Sequence, residues 1–316
     1  MSTVEKGHTV SRWSLLLAVF TVILGVGTAW QLITPAAPDF STPVRALADC
    51  VGAVVFGLCA AQRVHTSGAR LDRRQLWRAV ASLAGVWALA ELVLVAFAAS
   101  DAGGYRVNHV GAGTFADFAA HISTGRIGMA AAVCAAAIAV VGTVAYRRGA
   151  DWSTDPLLAL AGLTVILRPI TGHMSQQGFG SALVAAHVLA AALWFGLLVA
   201  LAILLRTRSD WATALPRYST WALRCVVVVT VTGVINAAVR LDRVAAVVDT
   251  GYGRVALAKT VMLLITVVMS CWWRRTWVDR AAGHRVDAAD SLRRAVIEVV
   301  VIAAAFGLAA ALATTA

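Results

Sequence analysis

The sequence predicts an all-α fold, a polytopic transmembrane helix bundle of about nine helices, with the amino terminus in the cytoplasm and the carboxyl terminus outside. Three observations predict it. Of 316 residues, 60% are hydrophobic and only 14% are charged, whereas soluble domains are roughly 45–50% apolar and about 25% charged. Long apolar runs recur from residue 13 to residue 314. The basic residues fall in alternate short segments between those runs, as the positive-inside rule expects.

Each apolar run is long enough to cross a bilayer, because a hydrocarbon core about 30 Å thick requires about 20 helical residues. The first run exceeds the roughly 7–15 residues of a signal-peptide core and is followed by no obvious cleavage site, so we interpret it as a helix. Pro156 and Pro216 are expected at helix starts, and Pro169 near the outer end of the fifth helix. The predicted spans are 13–33, 44–62, 76–99, 117–146, 154–172, 181–205, 216–239, 252–273 and 292–314.

The orientation follows from the connecting segments. One alternate set carries 18 Lys and Arg residues, and the other set carries five. The basic set is predicted to be cytoplasmic, so the net charge of +11 reflects membrane topology and does not indicate nucleic-acid binding. No polar stretch is long enough to fold separately, and residues 1–316 are therefore predicted to form a single integral membrane domain.

Three histidines are predicted to share one layer near the outer membrane surface. His121 lies in the fourth span, His173 with Met174 closes the fifth, and His187 lies about two turns into the sixth. Imidazole and thioether groups together are suitable copper ligands, and the thioether favours Cu(I). The alternative is that each histidine forms a hydrogen bond between helices without binding a metal.

Further polar residues lie inside the predicted spans, where they are costly and mark functional sites by default. Glu91, Asp117, Asn236 and Lys259 are predicted at comparable or deeper levels than the histidines. Glu298 stands apart, near the cytoplasmic start of the last helix, either as a proton or metal relay or as the partner of a neighbouring Arg.

Two arginines inside the spans offer a simpler explanation for part of this set. Arg168 and Arg126 could neutralise Glu91 and Asp117. The cysteines form no CxxC motif, and their dispersion within apolar segments favours a packing role over a disulfide framework or a metal site. They are Cys50, Cys59, Cys134, Cys225 and Cys271.

Five ordered elements in the second half of the chain carry a family resemblance. They are Gly172-His173; His187 followed seven residues later by Trp194 and then Gly196; Arg217-Tyr218-Ser219; Thr232-Gly233-Val234-Ile235-Asn236; and Tyr252-Gly253-Arg254 with Lys259 in the next helix. Over residues 171–277 this pattern resembles the membrane domain of the copper resistance protein D (CopD) family. The last helix, 292–314, with its basic pair before Glu298, resembles the family's final helix. The first 150 residues match only in their pattern of helices.

The resemblance implies copper uptake or handling, often beside a small periplasmic copper-binding CopC domain. A CopC-like protein is therefore a candidate partner, in addition to the copper ion and the lipid bilayer. Two residues depart from the family pattern. Met174 follows the Gly-His pair where a small residue is expected, and Trp194-Phe195-Gly196-Leu197 has one Gly where the family often has two.

The leading hypothesis is a copper-handling protein of the bacterial cytoplasmic membrane that takes copper, as Cu(I) or Cu(II), from the outer face and passes it inward. His173, Met174, His187 and His121 are the candidate ligands. The candidate transport or relay residues are Glu91, Asn236, Lys259, Glu298 and Trp194.

Two alternatives stay open. One is a b-type cytochrome in which two of these histidines ligate haem, and the other is a membrane scaffold for copper or oxidase assembly that transports nothing. No motif for hydrolysis or for phosphate binding occurs in the sequence. We therefore do not expect an enzyme.

Overall fold

The computed structural model describes residues 12–33, 39–64, 72–104, 106–171, 179–240, 246–283 and 285–314, and this part of the chain contains helices and turns but no strand. Short 3-10 helices occur at Val107–His109 and Pro169–Thr171, and a π-helical segment occurs at Arg274–Val278. The α-helices are α1 Arg12–Ile33, α2 Thr42–Val64, α3 Arg73–Gly103, α4 Ala112–His121, α5 Ser123–Arg148, α6 Asp155–Leu167, α7 Gly180–Leu204, α8 Arg208–Arg240, α9 Ala246–Asp249, α10 Gly251–Trp273, α11 Asp279–Ala282 and α12 Ala288–Thr314.

Seven helices in the described part of the chain are long and apolar enough to cross a membrane: α2, α3, α5, α7, α8, α12 and the continuous helical stretch that begins with α10. The segment Leu17–Ile33 of α1 and the helix α6 are also apolar but have fewer than 18 residues. A helix therefore occurs at each predicted span, and the multi-pass helical architecture is confirmed. The count of nine spans, the orientation of the termini and the single-domain organisation stay predictions.

The predicted fourth span is wrong in one respect. Residues 117–146 were expected to form one helix, but Ile122 has an extended backbone, with φ −96° and ψ 133°, and separates α4 from α5. Ile122, Ser123, Thr124 and Gly125 are all weak helix formers. The chain turns closely here, because a Cβ atom on Gly125 would lie 2.2 Å from the carbonyl oxygen of Phe118.

The expected position of Pro216 at a helix start is also wrong. The helix α8 begins at Arg208 and continues through Pro216. Its start is stabilised by a reciprocal pair of hydrogen bonds, in which the Asp210 backbone N–H donates to Thr207 Oγ1 at 3.2 Å and the Thr207 backbone N–H donates to Asp210 Oδ2 at 3.1 Å. This capping box nucleates the helix two turns before the proline.

Helix α2 lies at the centre of the bundle and packs on α3, α6, α7 and α12, whereas α1 packs mainly on α12. The contact between α2 and α7 is very close at Gly57 and Gly196. A Cβ atom on Gly57 would lie 2.0 Å from the carbonyl carbon of Gly196, and one on Gly196 would lie 1.7 Å from the carbonyl oxygen of Ala53. Small residues allow such approach between membrane helices, and here they position α7, which carries His187.

Candidate functional site

His187 lies on α7 and faces α8. Its Nδ1 lies 2.8 Å from Thr232 Oγ1, and the Thr232 hydroxyl lies 2.6 Å from the carbonyl oxygen of Val228, to which it donates. Because a hydroxyl has one proton, Thr232 must accept a hydrogen bond from His187 Nδ1–H. The proton of the neutral ring is therefore on Nδ1, and Nε2 keeps a lone pair that can bind a metal ion. Hydrogen-bond partners of metal-binding histidines commonly fix the ring in this way.

Two further polar residues lie at about the depth of His187, near the end of the bundle that the sequence predicts to be the outer one. Asn236 is one helical turn beyond Thr232 on α8, and its Oδ1 is buried without a hydrogen-bond partner among the described residues. Lys259 of α10 lies within electrostatic reach of the His187 ring. No carboxylate in the described ranges pairs with Lys259, so a positive charge at this position would oppose a second cation at His187. We call His187, Thr232, Asn236 and Lys259 the outer station.

Glu91 belongs to a separate buried ion pair. Its Oε2 accepts a hydrogen bond from Arg168 Nε at 2.6 Å, and its Oε1 accepts one from Trp87 Nε1 at 3.1 Å. The neutralisation of Glu91 by Arg168 is thus confirmed. Asp117 and Arg126 are both exposed, and the described salt bridges do not join them.

A second polar group lies toward the opposite end of α8. Glu298 of α12 is buried, and its Oε1 accepts hydrogen bonds from the Ser270 hydroxyl at 3.2 Å and the Tyr218 hydroxyl at 3.4 Å. The Trp194 indole N–H faces Tyr218 and Glu298 without the geometry of a hydrogen bond to either. Within the described ranges, no Arg or Lys forms an ion pair with Glu298. We call Trp194, Tyr218, Ser270 and Glu298 the inner station.

A cavity of about 70 Å³ borders the inner station. Cys271 and Arg274 also line it, and Arg274 begins the π-helical segment. Trp273 and Trp277 line the cavity as well. They pack together with Trp211, with ring centroids 6.1 Å apart for the pair Trp211–Trp277 and 5.8 Å for Trp273–Trp277. The π-helical turn, a feature often found at functional sites, thus adjoins both the cavity and the aromatic cluster.

Heptad spacing connects the two stations. Tyr218, Cys225 and Thr232 follow one another at seven-residue intervals on α8, and all three are buried. On α7 the same interval separates His187 from Trp194. Residues seven apart lie on nearly the same face of a helix, and 14 residues span about 21 Å at 1.5 Å per residue. Polar groups at two depths therefore line one seam between α7, α8, α10 and α12, with the Cys225 thiol between them.

His121, another predicted ligand, lies away from His187. His121 ends α4, is exposed, and has its Nδ1 3.2 Å from the carbonyl oxygen of Asp117. Helix α4 packs mainly on α3 and α5, whereas α7 packs mainly on α2 and α8. His173 and Met174 lie outside the described residues. Among the residues that the structure describes, no group of three His, Cys, Asp or Glu side chains is arranged to hold a metal ion.

Several polar residues of this region were given no role from the sequence. Tyr218 and Thr232 were part of the family pattern only, and Ser270 was not singled out. The heptad spacing of Tyr218 and Thr232 on α8, which matches the spacing of His187 and Trp194 on α7, is the signal that could have found those two residues. Asp49 was also missed; it lies within electrostatic reach of Arg45, Glu91 and Arg168, and a search for every acidic residue within the spans would have included it.

Comparison with known families decides the identity. The family model described as "Copper resistance protein D" matches residues 212–312, and the model described as "Copper resistance protein D-like, N-terminal domain" matches residues 42–182. The chain belongs to the copper resistance protein D family. It is a copper resistance membrane protein, and the recognition from sequence is confirmed. No curated protein and no solved structure matches this chain.

The two family matches differ in how many candidate residues they contain. The CopD match contains Tyr218, Thr232, Lys259 and Glu298, so it includes most of both stations. The amino-terminal match shows that the first half of the chain resembles the family in more than its pattern of helices. His187 and Trp194 lie between the two matched segments.

Proposed function

We propose that this protein takes copper from the outer side of the bacterial cytoplasmic membrane and passes it inward along the seam between α7, α8, α10 and α12. The observation that carries the proposal is the alignment of the outer and inner stations on one buried face of α8. Polar side chains within membrane helices commonly mark the path of an ion. The family membership supplies copper as the cargo.

Capture begins at the outer station. The Nε2 atom of His187 is the first ligand, and His173 with Met174 follow from the sequence as its partners, whereas His121, on α4, lies apart from this group. Imidazole and thioether donors suit Cu(I). Capture is expected to weaken at a pH low enough to protonate the imidazole ligands, because protonated imidazole cannot bind a metal ion. A periplasmic CopC-like protein would deliver the copper.

Relay through the seam uses different groups. Copper leaving His187 meets the Cys225 thiol and then the cavity beside Glu298. Within the described ranges the donors to this carboxylate are the neutral hydroxyls of Tyr218 and Ser270, so it can accept a proton or balance a cation. Asn236 and Lys259 act at the outer station, where Lys259 limits the affinity for copper and so favours release. Glu91 acts as a structural partner of Arg168 beside the path, and Trp194 acts as a wall of the inner cavity.

On this proposal transport is not driven by ATP bound to this chain, because the sequence contains no phosphate-binding loop. A gradient, a cytoplasmic chaperone that removes copper, or a partner protein would supply the driving force. On this proposal the protein transports and does not catalyse.

Metal and haem analysis of the purified protein tests the proposal. Wild type is compared with His173→Ala and His187→Ala, and with His109→Ala as the control, since His109 is an exposed histidine in the 3-10 segment. We expect stoichiometric copper in wild type and in the control, and less copper in the two site variants. A Soret band that disappears with His187 would identify a cytochrome instead. Loss of a co-purifying protein with no change in metal content would identify a scaffold.

A further inference from the structure

A second cavity, of about 330 Å³, lies away from the copper seam. It is lined by Asp72, Arg74, Gln75 and Arg78 from the start of α3, by Tyr146 near the end of α5, and by Arg206 between α7 and α8. These three segments all belong to the basic set that the sequence predicts to be cytoplasmic. The cavity therefore opens on the predicted cytoplasmic face.

The charges around this cavity do not balance. Three guanidinium groups line it against the single carboxylate of Asp72. That carboxylate caps α3, with Oδ1 accepting a hydrogen bond from the Gln75 backbone N–H at 3.1 Å. The described salt bridges include none of the three arginines. Guanidinium groups brought together without counter-charges repel one another, and an anion between them would relieve that repulsion.

Two of the arginines are already held in place. Gln75 Oε1 accepts hydrogen bonds from Arg206 Nη2 at 2.8 Å and Nε at 3.2 Å, and Gln75 Nε2 donates to the carbonyl oxygen of Ile203. Arg74 lies over the Tyr146 ring, 5.4 Å from its centroid. Both contacts reduce the side-chain entropy that a ligand would otherwise have to overcome on binding.

The ordinary preference for basic residues in cytoplasmic segments explains how many arginines occur here. It does not explain why three of them, from two separate segments, line the same cavity. Arg73, next in the chain, instead pairs with Asp151 at 2.9 Å. The planar guanidinium group with several N–H donors is suited to phosphate oxygens. Basic pockets between membrane helices on the cytoplasmic side are also typical binding places for anionic lipid headgroups.

We propose that this cavity binds a phosphate group, carried either by an anionic lipid headgroup or by a free phosphate compound. Arg78 and Arg206 contact the phosphate oxygens, and Arg74 adds positive charge from its position over Tyr146. The site is independent of the copper seam. It can therefore be tested on copper-free protein, and its failure would leave the proposed function untouched.

The test measures ligand-dependent thermal stabilisation of the copper-free protein in neutral detergent micelles. One arm adds phosphatidylglycerol against the neutral lipid phosphatidylcholine, and the other adds inorganic phosphate against chloride at equal ionic strength. The variants are Arg78→Gln, which removes a charge, and Arg206→Lys, which keeps the charge but loses the planar group. Arg147→Gln is the control, because Arg147 is exposed beside Tyr146 and does not line the cavity.

We expect wild type and Arg147→Gln to respond to phosphatidylglycerol, to inorganic phosphate or to both, and this pattern identifies the source of the phosphate group. Arg78→Gln and Arg206→Lys should each weaken the apparent affinity by about 10-fold, as expected for loss of a charge-assisted hydrogen bond. An equal loss in Arg147→Gln would show a general effect of surface charge and overturn the proposal. So would the absence of any response in wild type.

Discussion

Thr232 engages Nδ1 of His187, and none of the described residues forms a hydrogen bond with Nε2. The Thr232 hydroxyl donates to Val228 and accepts from His187, so a single side chain both orients the imidazole ring and selects its tautomer. The sequence predicted His187 as a ligand but not this partner, because the two residues are 45 positions apart and only the packing of α7 on α8 brings them together. A residue that forms a hydrogen bond to a neighbouring helix can be recognised from the sequence only when the relative register of the two helices is known.

Replacing this partner tests its role directly. Thr232→Val keeps the side-chain shape but removes the oxygen that accepts the hydrogen bond from His187. We expect the affinity for copper to fall by about 10-fold, the lower end of the range for replacing the hydrogen-bond partner of a metal ligand. Thr232→Ser should retain most of the affinity. The control is Thr230→Val, since Thr230 is exposed and bonds only to its own helix at Val226. Isothermal titration with Cu(I) measures all four proteins, and equal affinity throughout would remove Thr232 from the site.

Glu298 is expected to affect turnover more than capture, because its partner Tyr218 lies about 21 Å along α8 from Thr232, the partner of His187. Glu298→Gln should leave copper stoichiometry intact while slowing copper accumulation in vesicles. Tyr218→Phe, which removes one hydrogen bond to Glu298, should slow accumulation less. If stoichiometry and accumulation fell together in Glu298→Gln, the carboxylate would belong to the capture site itself.

At the scale of helices, apolar periodicity and bilayer thickness predicted where helices occur, because helices within lipid must satisfy their own backbone hydrogen bonds. The errors arose where local chemistry overrides that pattern. The turn at Ile122 depends on four weak helix formers and a close contact with Phe118, and α8 passes through Pro216 because its start is determined by Thr207 and Asp210. Neither arrangement changes hydropathy, so neither is visible as a break in an apolar run.

The contact between α2 and α7 provides a test at this scale. Gly57→Ala places a methyl group against the backbone of Gly196 and should destabilise the protein by about 1–3 kcal/mol, the usual cost of overpacking. Gly85→Ala is the matched control, because a Cβ there meets nothing within 4 Å, and alanine is the better helix former by up to about 1 kcal/mol. Thermal unfolding in detergent should therefore shift in opposite directions. An unchanged midpoint in Gly57→Ala would contradict the close packing of α7.

The whole molecule has a cytoplasmic amino terminus and an outer carboxyl terminus if the predicted orientation holds. The motivation is the distribution of basic residues, 18 in one set of segments and five in the other. A reporter fused after Ala316 should be active outside, and one inserted near Gly283 only in the cytoplasm. A cytoplasmic carboxyl terminus would refute the predicted topology of nine spans with a cytoplasmic amino terminus.

Copper transport by the histidine variants shows whether His173 and His187 bind the transported copper. Proteoliposomes containing wild type, His109→Ala or the double variant His173→Ala/His187→Ala are loaded with a copper indicator and given Cu(I) on the side of the α7 amino terminus. Wild type and His109→Ala should accumulate copper, and the double variant should neither bind nor accumulate it. Unchanged binding and transport in a correctly folded double variant would contradict the metal site and return both histidines to a packing role.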